Sequence, residues 1–193
     1  MLRDLVSRPQ VLGDAQFSEL ADLVSERPCR RGDRLLEAGQ QALITGVVVE
    51  GVLGEFYESP DGARKAKWLA GPGQVFGSLE DLVRVGPARA AIEALTNAVV
   101  LQLPYADLRA LAVRDLAWAR FFVSMMEDLY RRKSEREFTL LMLRAHERYA
   151  WFRRQYGPLE DQLAQEVIAS YLGVTPVHLS RVRKAASSGA RGR

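Results

Sequence analysis

The sequence predicts an α+β chain: an N-terminal antiparallel β-roll of jelly-roll type, a long helix able to pair two copies, and a C-terminal helix-turn-helix. Three observations predict it. Between residues 28 and 103, short β-rich runs are cut by Gly, Pro or Asp-Gly about every ten residues. From Asp115 to Leu143 there is no Gly or Pro, and apolar residues recur at helical spacing. Ile168 to Lys184 reads as two short helices joined at a glycine. The predicted units are 1–114 as the roll with its leading helices, 115–143 as the long helix and 144–193 as the helix-turn-helix unit.

Each element has its own reason. Residues 1–26 predict short helices, because Phe17, Leu20, Ala21, Leu23 and Val24 fall at helical spacing. In the roll, Val47, Val48 and Val49 predict a strand that ends in a turn at Glu50-Gly51. Asp61-Gly62 predicts a hairpin, since both residues tolerate positive φ. The 115–143 helix carries Phe122, Met126, Leu129, Lys133, Arg136, Leu140 and Leu143 in a 4-3-4-3 spacing. That pattern predicts a two-stranded seam of Phe122, Met126, Leu129, Leu140 and Leu143 with a polar centre, and hence a homodimer. Tyr149, Trp151, Phe152 and Tyr156 predict a packed helix ending at Gly157-Pro158. Residues 185–193 are small, polar and basic, and predict a disordered tail.

The helix-turn-helix is specified position by position. Gln165 opens it. Ile168 and Leu172 form the inner face of its first helix. Ala169 sits at the crossing, where only a small side chain lets two helices approach. Gly173 falls at the turn, where positive φ is free of steric cost. Val174 packs beneath the turn. Thr175 is placed to cap the second helix and Pro176 to begin it. Leu179 and Val182 point inward. Val177, His178, Ser180, Arg181 and Lys184 point out, toward bases or phosphates. The charge agrees: residues 144–193 carry a net +5 and residues 1–143 a net −2, which suggests a polyanion at the C-terminal end.

Composition narrows the classes. No apolar run approaches the ~18–20 residues that span a bilayer, and MLRDLVSRPQ lacks a signal-peptide core. Cys29 is the single cysteine, too few for an internal disulfide or a multi-cysteine metal site. A cytoplasmic protein without a membrane partner is expected. A barrel oxygenase would need histidines inside the barrel. The two histidines, His146 and His178, both lie in the helical C-terminal part, so no enzyme activity and no metal site are expected.

The succession of roll, long helix and helix-turn-helix resembles the Crp/Fnr family of bacterial transcription regulators over nearly the whole chain. RRGDRLLEAGQ, VVVEGVLGEFY and DGARK are similar to that family's roll strands. GPGQVFGSLEDL and PARAAIEAL lie where the family carries its phosphate-binding cassette. ERYAWFRRQY and QEVIASYLGVTPVHLSRVRK resemble the DNA-binding end of a subgroup. The resemblance implies a signal-sensing roll, dimerisation by the long helix, and reading of a near-palindromic operator on double-stranded DNA. RNA polymerase is implied as a further partner. It places an effector pocket at Gly77, Ser78, Arg89, Ala90, Lys133 and Ser134, and a cyclic nucleotide is the ligand it suggests. Two departures count against that ligand. The family's nucleotide binders carry a glutamate after the cassette glycine, and here Ser78 follows Gly77. Their hydroxyl residue after the phosphate-binding arginine is replaced by Ala90, after Arg89. The expectation is therefore that Arg89 meets an acid of the chain, such as Glu80 or Asp81, or a different anion. The residues after Lys184 leave no room for the β-hairpin wing many family members carry there. A second reading stays open: a cyclic-nucleotide-responsive regulatory protein that acts through protein contacts.

Overall fold

The structure is a computed structural model that describes residues 12–59, 61–84 and 86–190. Residues before 12, within the expected N-terminal helices, lie outside the described residues. Helix α1 (Asp14–Leu23) leads into eight strands: β1 (Ser25–Cys29), β2 (Arg34–Leu36), β3 (Ile44–Glu50), β4 (Leu53–Glu58), β5 (Arg64–Ala70), β6 (Val75–Phe76), β7 (Ala90–Ala94) and β8 (Ala98–Pro104). Short helix α2 (Leu79–Arg84) interrupts them. The strands form two antiparallel four-stranded sheets, ordered β1-β8-β3-β6 and β2-β7-β4-β5. Val48, Leu53, Phe76, Ile92 and Val100 fill the space between the sheets. The predicted turns are present, with Gly51 and Gly62 both at positive φ. The α+β class and the antiparallel roll expected from the sequence are what the chain forms.

Helix α3 (Tyr105–Arg114) and α1 cover the outer face of the first sheet. Leu20, Leu103, Leu108, Leu111 and Trp118 make a second cluster there. Helix α4 (Leu116–Met142) follows, 27 residues or about 40 Å long. The Asp115 carboxylate caps it, accepting from the N–H groups of Ala117 and Trp118 at 2.9 and 3.1 Å. Helix α5 (Ala145–Tyr156), a 3₁₀ turn, α6 (Gln165–Leu172) and α7 (Pro176–Ala190) complete the chain. Tyr149, Trp151, Phe152 and Tyr156 are buried as expected, in one cluster with Ile168, Tyr171, Leu172 and Leu179.

Two expectations are corrected. The tail does not break off after Lys184: α7 runs on to Ala190, because alanines at 185 and 186 favour continuation. The second correction concerns the α4 seam. Phe122 packs against Tyr105 of its own chain, with ring centroids 6.3 Å apart. Arg136 donates to Ala66 O and Tyr171 O. Leu140 lies under Gly173, and Leu129 and Leu143 are half-buried within the same chain. At 100° per residue, Phe122, Leu129, Arg136, Leu140 and Leu143 share an arc of roughly 60°, and the chain's own domains occupy that face. Met126 flanks it, half-buried. The exposed apolar stripe is on the opposite side: Leu116, Val123, Tyr130, Phe138 and Leu141 are 53 to 75% exposed and lie within an arc of about 80°.

Candidate nucleic-acid interface and effector cassette

The helix pair at the C-terminal end is built as its sequence requires. Ile168 and Ala169 are fully buried, and Leu172 and Leu179 nearly so. Gly173 ends α6 at φ +65°, in the left-handed region where a side chain is strained. Thr175 Oγ1 accepts the His178 N–H at 3.2 Å and caps α7. Val174 and Val182 pack on the shared core. Val177, His178, Ser180, Arg181 and Lys184 are exposed on the outer face. Gln165 does a different job from the outward residues: its Nε2 donates to Pro176 O at 2.7 Å and ties the start of α6 to the start of α7.

Three residues that the sequence reading passed over hold this unit in place. The Glu160 carboxylate, buried beneath α7, accepts from Tyr149 Oη at 2.7 Å and Arg183 Nε at 2.9 Å. Arg148 donates to Leu143 O and Leu172 O, joining the end of α4 to the end of α6. Ser170 Oγ accepts the Ala66 N–H at 2.8 Å, while Arg136 donates to Ala66 O at 3.0 Å. The helix pair is thus docked on β5, an edge strand of the roll. Arg136 was visible as the polar centre of an apolar repeat. Glu160 and Ser170 carry no local signal.

The cassette lies at the α2 end of the roll. Gly77 turns the chain at φ +133°, and a Cβ there would press on Thr45 and Ile44 O at 3.1 to 3.2 Å. Ser78 is buried and donates from Oγ to Asp81 Oδ2 at 2.7 Å. Asp81 also accepts the Arg89 N–H at 3.1 Å and Arg84 Nη2 at 3.2 Å. Burial pushes the Asp81 carboxyl up, but these donors outweigh it and hold it below the usual carboxylate range. Arg89 does not point into the roll. Its side chain is 58% exposed and pairs with Glu80 Oε1 at 2.9 Å, as an internal acid was expected to do. The same Glu80 carboxylate accepts from Tyr57 Oη at 3.1 Å and lies 3.6 Å from Lys67 Nζ. Lys67 in turn meets Glu55 Oε1 at 2.8 Å, with both side chains largely buried. Burial favours the neutral amine, yet the Glu55 carboxylate beside it raises Lys67 above its ordinary value.

Ala90 is fully buried and brings no hydroxyl. On α4, Lys133 is exposed and Ser134 half-buried. The residues present do not fit a cyclic nucleotide. Ser78, at the position the resemblance assigns to the ribose contact, is already bonded to Asp81, and the cassette's cations, Arg89 and Lys67, already face Glu80. Among the described residues, no group of three or more His, Cys, Asp or Glu is placed to hold a metal ion, and no helix is long and apolar enough to cross a membrane.

The cyclic nucleotide-binding domain family matches residues 26–115, the whole of the roll with α3. Among solved structures, the chain is similar to FixK2 from Bradyrhizobium japonicum, at 23% identity and TM-score 0.73 over 86% of each chain. The catabolite activator protein of Thermus thermophilus aligns at 21% identity and TM-score 0.54, over 93% of this chain and 85% of the other. A transcriptional regulator of the crp/fnr family from Eubacterium rectale aligns at 14% identity and TM-score 0.66, over 92% and 85%. No curated protein matches the chain by sequence. Residues 26–115 thus resemble a cyclic nucleotide-binding domain in sequence. From roll to terminal helix pair, the chain has the fold of the Crp/Fnr family regulators.

Proposed function

We propose that this chain is a DNA-binding transcription regulator, cytoplasmic and without enzyme activity, whose homodimer reads a near-palindromic operator with α7. The observation that carries the proposal is the α6–α7 pair. Its crossing, turn and cap are all satisfied, and an exposed row including Arg181 and Lys184 is left on the outer face. Among the described residues Arg181 forms no hydrogen bond or ion pair, so its fork of donors is open to a guanine edge or a phosphate. The names of the structural neighbours, an activator protein and a crp/fnr regulator, support the same reading. In the dimer the exposed α4 stripe meets its own copy, and the two α7 helices address half-sites one DNA turn, about 34 Å, apart. Residues 1–114, 115–143 and 144–193 then serve as sensor-like roll, pairing helix and DNA-binding unit. RNA polymerase is the partner this role implies.

The test is a gel-shift titration against a random duplex library at rising salt. Binding should weaken steeply with salt, because phosphate contacts release counterions. Arg181→Ala should cost ~1–3 kcal/mol per half-site on a selected operator. Absence of any salt-dependent shift, with the protein folded, would refute the proposal and favour action through protein contacts.

A further inference from the structure

We infer that Val177 is a specificity-determining residue that reads the C5-methyl group of a thymine in the operator's major groove. The inference deepens the DNA-binding reading and rests on it. It starts from an apolar side chain in a polar row. On α7, Val182 and the neighbouring Val174 are turned into the core. Val177 is turned out and is 64% exposed, beside exposed His178, Ser180 and Arg181. It lies in the first turn of α7, the turn that meets base edges when a recognition helix enters the groove.

The chemistry narrows what Val177 can read. A valine offers two methyl groups, with no donor and no acceptor. Against guanine, adenine or cytosine it would strip water from O6, N7 or N4 and return no hydrogen bond, which is costly. Thymine alone presents an apolar group on its major-groove edge. Position is also controlled. Gln165 Nε2 holds Pro176 O, one residue before Val177, and Thr175 caps the same turn. The first turn therefore cannot fray away from the groove. Arg181 follows one helical turn later, about 6 Å along the axis. At 3.4 Å per base step that separation spans at most about two base pairs, since α7 lies in the groove at an angle to the DNA axis. The half-site should pair a T·A step with a G·C step within about two base pairs of it.

The experiment is selection of duplexes from a random library by the full chain, followed by deoxyuridine scanning. Each thymine of the selected half-site is replaced singly by deoxyuridine, which removes only the methyl. At one thymine the wild type should lose about 4-fold in affinity per half-site, the worth of one buried methyl group. That thymine should lie within about two base pairs of the G·C pair whose preference disappears in selections with Arg181→Ala. Val177→Ala, an exposed change to a better helix former, should bind the thymine duplex about as weakly as wild type binds the deoxyuridine one. It should also be indifferent to the replacement. If wild type is indifferent at every thymine, or Val177→Ala keeps the loss, the inference is overturned and DNA binding stands. If no duplex is retained at low salt, both fall together.

Discussion

Replacing Val123 by glutamate separates the two faces of α4. Val123 is 53% exposed in the single chain, and glutamate is a good helix former, so the fold should be almost unaffected. In a two-fold seam each Val123 meets the partner's stripe. Losing the burial of half a valine costs about 1 kcal/mol per protomer. Setting a carboxylate against apolar side chains and its own symmetry mate adds several more. A total of at least ~4 kcal/mol corresponds to about a thousandfold in the dimer dissociation constant. A nanomolar dimer becomes a micromolar one, and sedimentation velocity between roughly 1 and 100 μM follows that shift. Phe122→Glu is the contrast. Phe122 packs on Tyr105 and on the Leu103–Trp118 cluster, so losing it costs ~3–5 kcal/mol of stability and should unfold the chain rather than separate copies. A Val123→Glu protein that remains a dimer at 1 μM, or a Phe122→Glu protein that is a well-folded monomer, would refute this assignment of the faces.

Gly173→Ala forces a left-handed residue to carry a Cβ, costing ~1–2 kcal/mol. The new atom would also press at 3.3 Å on Arg148 Nη1 and Leu140 Cδ2, so DNA affinity should fall with stability; equal denaturation midpoints for the two proteins would contradict the turn geometry. Cyclic AMP and cyclic GMP should give no heat in calorimetry and leave DNA affinity unchanged, whereas micromolar binding abolished by Arg89→Ala would show the cassette accepts nucleotides despite Ser78 and Glu80. Asp81 has a lowered carboxyl pKa, so its contribution is present above the ordinary aspartate pKa of ~3.9 and is lost as pH falls through its lower folded value. Acid titration of wild type against Asp81→Asn should show the wild type's advantage shrinking below about pH 4; a constant difference down to pH 2 would remove Asp81 from that role.

What could be read in advance was whatever depended on local chemistry. Gly173, Thr175 and Pro176 act within one turn of themselves, and their roles follow from φ, a hydroxyl and a missing N–H. The roll's turns were legible for the same reason. The faces of α4 were not. Two stripes, Phe122–Leu129–Leu140 and Leu116–Val123–Tyr130, repeat at helical spacing, and periodicity cannot say which lies against the chain's own domains. The hydrogen bonds of Arg136 decide it, because its guanidinium spans two carbonyls contributed by β5 and α6. In the cassette, Glu80 was within reach of sequence reasoning because it is nine residues from Arg89. Lys67 and Tyr57 were not, because β4 and β5 bring them there from elsewhere in the chain.

The docking of α6 on β5 has a bearing on solubility. An edge strand presents unpaired peptide groups that can recruit a strand from another molecule. Here the N–H and C=O of Ala66 are both taken, by Ser170 and Arg136, and Tyr156 Oη takes Leu69 O on the same strand. The unit that would read DNA also shields this edge from intermolecular strand pairing. Any movement that swings the helix pair away uncovers a template for aggregation. Loosening the pair, by mutation or heat, should therefore register as precipitation while the roll itself is still folded.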